Sequence, residues 1–253
     1  MIEAVTFDLW DTIIRDDSDE PRRVAQGLRP KREARRHLVW EALNEDASAP
    51  IDHEAVAQAY DVADAAFNKV WHDQHVTWTI QERLSVLLEG LGRSLAPERF
   101  EALARAHERM ELEVAPDAVE GIADAVASLA QRYKLCIVSD TIVSPGHCLR
   151  ELLALHGVKD HFSGFAFSDE VGHSKPHRSM FEAASQALDG VPFERMVHIG
   201  DRDHNDVKGP QALGMKAVLF TAVKDRGSAE SSADAICAHA AELPGTLERL
   251  ATA

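Results

Sequence analysis

Asp8 closes a short apolar run, Ala4-Val-Thr-Phe-Asp8, and Trp10, Asp11 and Thr12 follow it at once in a turn. A carboxylate at the carboxyl end of a buried strand is where open α/β sheets place their chemistry. Three further segments answer it in order. They are Leu135-Cys-Ile-Val-Ser139-Asp140-Thr141, then Ser174-Lys175-Pro176, then Val197-His-Ile-Gly200-Asp201 with Asp206 beyond. Singly, each has an ordinary structural reading: Lys-Pro suits a surface loop, Gly-Asp a turn, and an Asp after an apolar run a helix cap. Together they describe one chemistry. Asp8 becomes a usable nucleophile when it is desolvated and aimed. Attack by an anion on phosphorus needs cations, of which Lys175 supplies one charge and a divalent ion held by Asp8 and Asp201 two more. Oxygen ligands beside phosphate suit Mg²⁺, which keeps several of its waters. Ser139 and the N–H groups of the first turn can cradle phosphoryl oxygens.

The elements that must hold these residues are legible in the spacing. From residue 116 onward apolar runs alternate with helical patterns: Lys134–Ser139, Gly164–Ser168, Met196–Gly200 and Lys216–Phe220 read as strands. Val119, Ile122, Val126 and Leu129 recur at helical spacing, and Leu149, Leu152 and Leu153 follow Pro145. Such repetition means a parallel sheet covered on both faces. Ala233–Cys237 is expected to add an edge strand before a last helix at Leu243–Leu250. Residues 17 to 115 differ. Val56, Tyr60, Ala63, Phe67 and Val70 share a helical face, as do Ile80, Leu84, Leu87 and Leu91, then Phe100, Leu103, His107 and Met110. Gly92 and Pro97 separate the last two helices and Ala47-Ser-Ala-Pro50 earlier ones. The expectation is an α/β core domain of residues 1–16 and 116–253 with flavodoxin-like winding, and an all-helical domain of about four helices inserted at 17–115.

With 253 residues the chain can bury a sizeable core. Its formal net charge of −15 argues against nucleic acid and anionic membranes as partners, since both call for a basic surface. A small phosphorylated molecule remains compatible, because a local Lys, a metal and backbone N–H groups suffice to bind it. Cys136, Cys148 and Cys237 form neither a ligand-like pair nor a disulfide framework and read as small buried hydrophobes. No apolar run reaches membrane-spanning length, and the N-terminus starts a strand without a signal-peptide pattern, so a cytoplasmic protein is expected.

The four motifs, with a helical insertion after the first, resemble the haloacid dehalogenase-like hydrolases, in the class that carries an α-helical cap. The resemblance implies a Rossmann-like parallel sheet core under that cap. It implies that Asp8 is the nucleophile, that Ser139 binds the transferred group, and that Lys175 and the acids Asp201 and Asp206 complete the site. Asp8, the backbone carbonyl of Trp10 and Asp201 are the expected Mg²⁺ ligands, with Asp206 supporting through water or through Lys175. Ser139, Asp140, Lys175, Trp10 and Trp78 are the expected substrate contacts.

One position departs from the pattern. Most phosphatases of this family carry a second Asp two residues after the nucleophile, which protonates the leaving oxygen; here that position is Trp10. General acid–base catalysis contributes about 10²–10⁴-fold, so an ordinary alkyl phosphate should turn over slowly. Three readings follow. The acidic motif Gly200-Asp201-Arg-Asp203-His-Asn205-Asp206 favours a Mg²⁺-dependent phosphatase whose substrate has a good leaving group or assists itself. A 2-haloacid dehalogenase explains an aromatic residue at position 10, since a halide needs no protonation, but Asp201 without metal would then repel Asp8. A phosphate-binding protein without turnover gives no reason to keep all four motifs. A route through a Schiff base on Lys31 or Lys69 belongs to the same family.

Aromatic residues and histidines extend the candidates. Trp40 and Trp71 lie in helical patterns and read as packing, whereas Trp78, between helices, is the expected pocket residue. His173 and His177 bracket Lys175-Pro176, where a proline opposes a helical metal site. His204, inside the acidic motif, is the candidate substitute acid, ahead of Asp11.

Overall fold

Six strands build one parallel sheet in the computed structural model, which describes residues 1–45 and 49–252. They are β1 (Ala4–Phe7), β2 (Lys134–Ser139), β3 (Gly164–Phe167), β4 (Met196–Gly200), β5 (Lys216–Phe220) and β6 (Ala235–Cys237). Their order is β3-β2-β1-β4-β5-β6. The sheet is therefore wound in the dinucleotide-binding order, not the flavodoxin-like one expected. Apolar periodicity reports strands and crossovers; it does not report the side on which each crossover returns. The consequence is functional. The chain reverses direction across the sheet between β3 and β4, so a crevice opens at the carboxyl ends of β1 and β4, where Asp8 and Asp201 follow their strands.

The strands read as near-continuous apolar runs because both faces are covered. On one face Val5, Phe7, Leu135, Ile137, Ile199 and Val218 pack against α7 (Ile122–Ala130), α8 (Gly146–Leu155) and α12 (Leu243–Thr252) through Val126, Leu149 and Leu247. On the other, Ala4, Cys136 and Val138 meet Met180, Phe181 and Ala184 of α10 (Arg178–Ala187). The short helices α9 (Ser168–Val171) and α11 (Gly209–Gln211) flank β3 and β5. All three cysteines are buried and unpaired, as expected.

Among the described residues between β1 and α7 the elements are helices: α1 (Glu20–Ala25), α2 (Lys31–Asn44), α3 (His53–Gln74), α4 (Ile80–Gly90), α5 (Pro97–Glu108) and α6 (Met110–Glu113). Four long helices match the expected number, and two short ones add to them. Their apolar faces enclose a separate cluster around Val39, Val56, Tyr60, Leu84, Leu87 and Leu103. Thr79 caps α4 in a capping box with Glu82, which fixes where that helix starts. Of the expected break at Ala47–Pro50, Ala47 and Ser48 lie outside the described residues. The helical segment is pinned to the core beside Lys175. Val76 bridges His173, and Ser174 N–H donates to the His75 carbonyl at 2.8 Å. No described helix is long and apolar enough to cross a membrane.

Candidate active site

The turn after β1 aims the first carboxylates. The N–H groups of Ile13 and Ile14 donate to the Leu9 carbonyl at 2.8 and 2.9 Å, and Asp11 takes a positive φ of 56° to close the turn. Asp8 N–H continues the ladder to the Ile199 carbonyl, locking Asp8 to the end of β4. Gly200 ends β4 because a side chain there would overlap the Asp206 carboxylate. Asp206 is carried back towards the strand by a π-helical turn, Asp203–Lys208, and accepts from the Arg202 N–H at 2.9 Å. Turns of this kind recur at functional sites.

Three acids converge as a result. Oxygen atoms of Asp8, Asp201 and Asp206 lie within 4.8 Å of one another, and all three residues are buried. Lys175 stands between two of them, its Nζ 2.6 Å from Asp8 Oδ1 and 2.6 Å from Asp206 Oδ1. Asp140, after β2, accepts the Lys175 backbone N–H at 2.8 Å and so fixes the loop that carries the ammonium. His198, missed in the sequence, donates from Nε2 to Asp206 at 3.1 Å while its Nδ1 meets the Thr6 hydroxyl at 2.7 Å. Thr6 and His198 face each other in the β1–β4 register, a pairing that only the strand order reveals.

Burial sets the protonation of this group. It pushes the Asp8 carboxyl up to about 8 against the pull of Lys175, and the charges of Asp206 and Asp201 add to the rise. Burial opposes the Asp206 charge as well, but Lys175 and His198 hold that carboxyl well below the usual range. Burial would lower the Lys175 ammonium, yet Asp206, Asp8 and Asp140 raise it above its ordinary value. The Asp140 carboxyl is lifted to about 6, again by burial with Lys175 opposing. Burial and Asp206 raise Asp201. His198 is lowered by burial and is therefore neutral near pH 7.

These residues suit a small divalent cation. Asp201 Oδ1 is buried and has no hydrogen-bond partner among the described residues, and an orphaned carboxylate oxygen beside two other acids is a site for a cation. Asp8 and Asp206 line a cavity of about 250 Å³, together with Trp10, Asp140 and Lys175. Its far wall belongs to the helical segment and the turn leading into it: Asp16, Asp17, Lys31, Arg35, Trp71 and Glu111.

Several expectations need correction. Trp78 does not line this cavity; it lies against Phe67, with ring centroids 6.4 Å apart. Trp71, assigned to packing, lines the cavity instead, because α3 continues to Gln74 and turns that face towards the core. Ser139 is fully buried, its hydroxyl donating to the Asp140 carbonyl at 3.2 Å, and Asp140 rather than Ser139 reaches the cavity wall. Asp11 is no acid for a leaving group: its carboxylate is held by Lys224 and Arg226, both at 2.8 Å. His204 is exposed on the outer side of its turn, near His75, while Asn205 faces the cavity. His173 and His177 stack on each other at 4.0 Å, and His177 caps α10. Lys31 is ringed by Asp17, Asp19 and Glu111. Burial lowers its ammonium, but Glu111 and Asp19 raise it further, so it stays charged and unfit for a Schiff base. Lys69 is exposed and paired with Asp73.

Comparisons with known proteins bear on the family and the fold. The family model for haloacid dehalogenase-like hydrolases matches residues 2–214. A phosphoserine phosphatase of Thermus thermophilus is 35% identical over 134 residues, a stretch covering 52% of this chain and 49% of that protein. This chain thus aligns with about half the length of that relative. Among solved structures, 2-haloacid dehalogenase from Pseudomonas syringae superposes with a TM-score of 0.68 at 21% identity, covering 99% of this chain and all of that one. The putative hydrolase YfnB of Bacillus subtilis, bound to magnesium, superposes with a TM-score of 0.58 at 20% identity, covering 97% and 98%. At such identities the two superpositions speak for the fold.

Proposed function

The chain belongs to the haloacid dehalogenase-like hydrolases, and we propose that within this family it is a magnesium-dependent phosphatase of a small phosphorylated metabolite. The observation that carries the reading is the convergence of Asp8, Asp201 and Asp206, with one Asp201 oxygen buried and unpartnered among the described residues. Similarity to a phosphoserine phosphatase supports it.

Asp8, Asp201 and the Trp10 carbonyl would hold the cation, with Asp206 supporting. When bound, Mg²⁺ supplies positive charge to the phosphoryl oxygens and draws the Asp8 carboxyl down from its raised value. Lys175 binds a phosphoryl oxygen from the side of Asp206 and is held charged by that pairing. An Asp8 carboxylate oxygen then attacks phosphorus, the bond to the leaving oxygen breaks, and an aspartyl-phosphate forms. Water attacks the same phosphorus, releases phosphate and restores Asp8. Trp10 offers no proton to the leaving oxygen, so the reading favours acyl or aryl phosphates over alkyl ones. Trp10, Trp71, Ile142 and Val143 would help exclude water while Lys31 and Arg35 meet the substrate's polar end.

A second reading, a metal-independent 2-haloacid dehalogenase, is favoured by one observation. Arg226 neutralises Asp201, at 2.5 Å, so that carboxylate no longer stands bare near Asp8. The test assays p-nitrophenyl phosphate, acetyl phosphate, an alkyl phosphate and L-2-chloropropionate, each with Mg²⁺ and with EDTA. Phosphatase activity on the first two that disappears with EDTA is expected. Haloacid turnover indifferent to EDTA would replace this reading with the second.

A further inference from the structure

Arg226 lies in the segment after β5, and its guanidinium spans two buried carboxylates of the site. Nε donates to Asp201 Oδ2 at 2.5 Å and Nη2 to Asp11 Oδ2 at 2.8 Å. The side chains of Asp201 and Asp11 are 1% and 2% exposed, that of Arg226 35%. The guanidinium therefore roofs the acids from the solvent side. Its backbone is held in place by Asp225, whose Oδ1 accepts from the Gly227 and Ser228 N–H groups at 3.0 and 2.8 Å. Lys224 reaches Asp11 at 2.8 Å, and no contact joins it to Asp201 among the described residues.

We infer that Arg226 is a resident counter-ion against which the divalent cation competes, so that it weakens metal binding while stabilising the metal-free site. This rests on the magnesium reading above. Lys175 neutralises charge on the Asp8–Asp206 side; Arg226 does so on the Asp201 side. Without Arg226, the buried acids Asp8, Asp140, Asp201 and Asp206 would face one lysine. With it, part of that excess negative charge is offset before any metal arrives. The cost falls on the metal. A cation taken up by the free Asp201 Oδ1 sits across a single carboxylate from the guanidinium, and like charges at that separation repel. Arg suits the role, since it stays charged at any pH and its planar fork can bridge two carboxylates.

The experiment compares wild type, Arg226→Gln, Lys224→Gln and Asp11→Asn by calorimetric titration with MgCl₂ and by thermal melting with and without Mg²⁺, no substrate being present. Arg226→Gln is expected to melt below wild type without Mg²⁺, to bind Mg²⁺ about tenfold more tightly, and to gain more from it. Folding of Arg226→Gln only in the presence of Mg²⁺ would be the same result in stronger form. Lys224→Gln should keep the wild-type affinity. Asp11→Asn leaves the guanidinium to Asp201 alone and should weaken Mg²⁺ binding; Asn tolerates the positive φ at that position. Equal or weaker Mg²⁺ binding by Arg226→Gln overturns the inference. So does unchanged or tighter binding by Asp11→Asn, which holds whether or not the arginine variant folds. If neither wild type nor Arg226→Gln binds Mg²⁺, the magnesium reading itself falls and takes this inference with it.

Discussion

Lys175 and Asp8 are joined at 2.6 Å across a buried gap, although 167 residues separate them in the chain. Asp8 follows β1 directly, while Lys175 follows α9 on a loop that Asp140, just after β2, holds. Three adjacent strands thus cooperate in one ion pair. Because Lys175 also holds Asp206, the ammonium is the one link between the Asp8 and Asp206 carboxylates among the described residues.

Replacing Lys175 by Met should therefore damage both stability and activity. The side chains of Lys175 and Asp206 are 2% and 1% exposed, so the change leaves buried carboxylates without their cation. Breaking such a pair costs about 3–5 kcal/mol. Phosphatase activity should fall about 10³-fold or more, as when one charged donor to a transferring phosphoryl group is lost. Urea denaturation and initial rates on p-nitrophenyl phosphate check the two effects. A variant that keeps wild-type stability would show that the buried pair is not formed in solution.

Trp10→Asp tests the missing acid. Trp10 is half-buried, packs against the sheet core and lines the cavity beside Asp8. If the absent proton donor limits alkyl phosphate turnover, that rate should rise by about 10²-fold, while acetyl phosphate, whose leaving group needs no proton, gains far less. Loss of the ring should lower stability by about 2 kcal/mol. Equal changes on both substrates would remove the argument from leaving groups.

What the sequence could and could not reveal follows from how each residue is positioned. Asp8, Asp140 and Asp201 each follow a strand directly, so local pattern plus the parallel-sheet rule places them at one edge. Lys175 carries its own marker in the proline that follows. Arg226 and Lys224 do not: they sit in a polar loop whose direction depends on the turn made by Asp225. The available signal was weaker, two cations just past the carboxyl end of β5, where the neighbouring loops already converge. His198 and Thr6 lie within the motifs, but their contact needs the β1–β4 pairing, which periodicity does not contain. The exchange of Trp71 for Trp78 has the same origin. Helical spacing defines the apolar face of α3, not which end of that face looks across the cleft.

The helical segment should carry its own pH signature through His107. Its ring is fully buried, stacks on Tyr60 with centroids 6.1 Å apart, and donates from Nδ1 to the Leu103 carbonyl at 2.8 Å. Burial pushes its pKa down to about 4, below the value of about 6.5 expected in the unfolded chain. Between those two values the unfolded state binds the extra proton, so stability must fall as the solution is acidified. The contribution is fully present above pH 6.5, declines as pH drops towards 4 and is flat below that. The full span corresponds to about 3 kcal/mol. His107→Phe keeps the stacking against Tyr60 but cannot take up a proton. Urea midpoints measured from pH 7 to pH 4.5 should therefore fall less steeply for the variant than for the wild type. Carboxylates such as Asp206 titrate alike in both proteins and cancel in the comparison. Parallel curves would mean that His107 reaches solvent in the folded state and that the helices around it are looser than their packing implies.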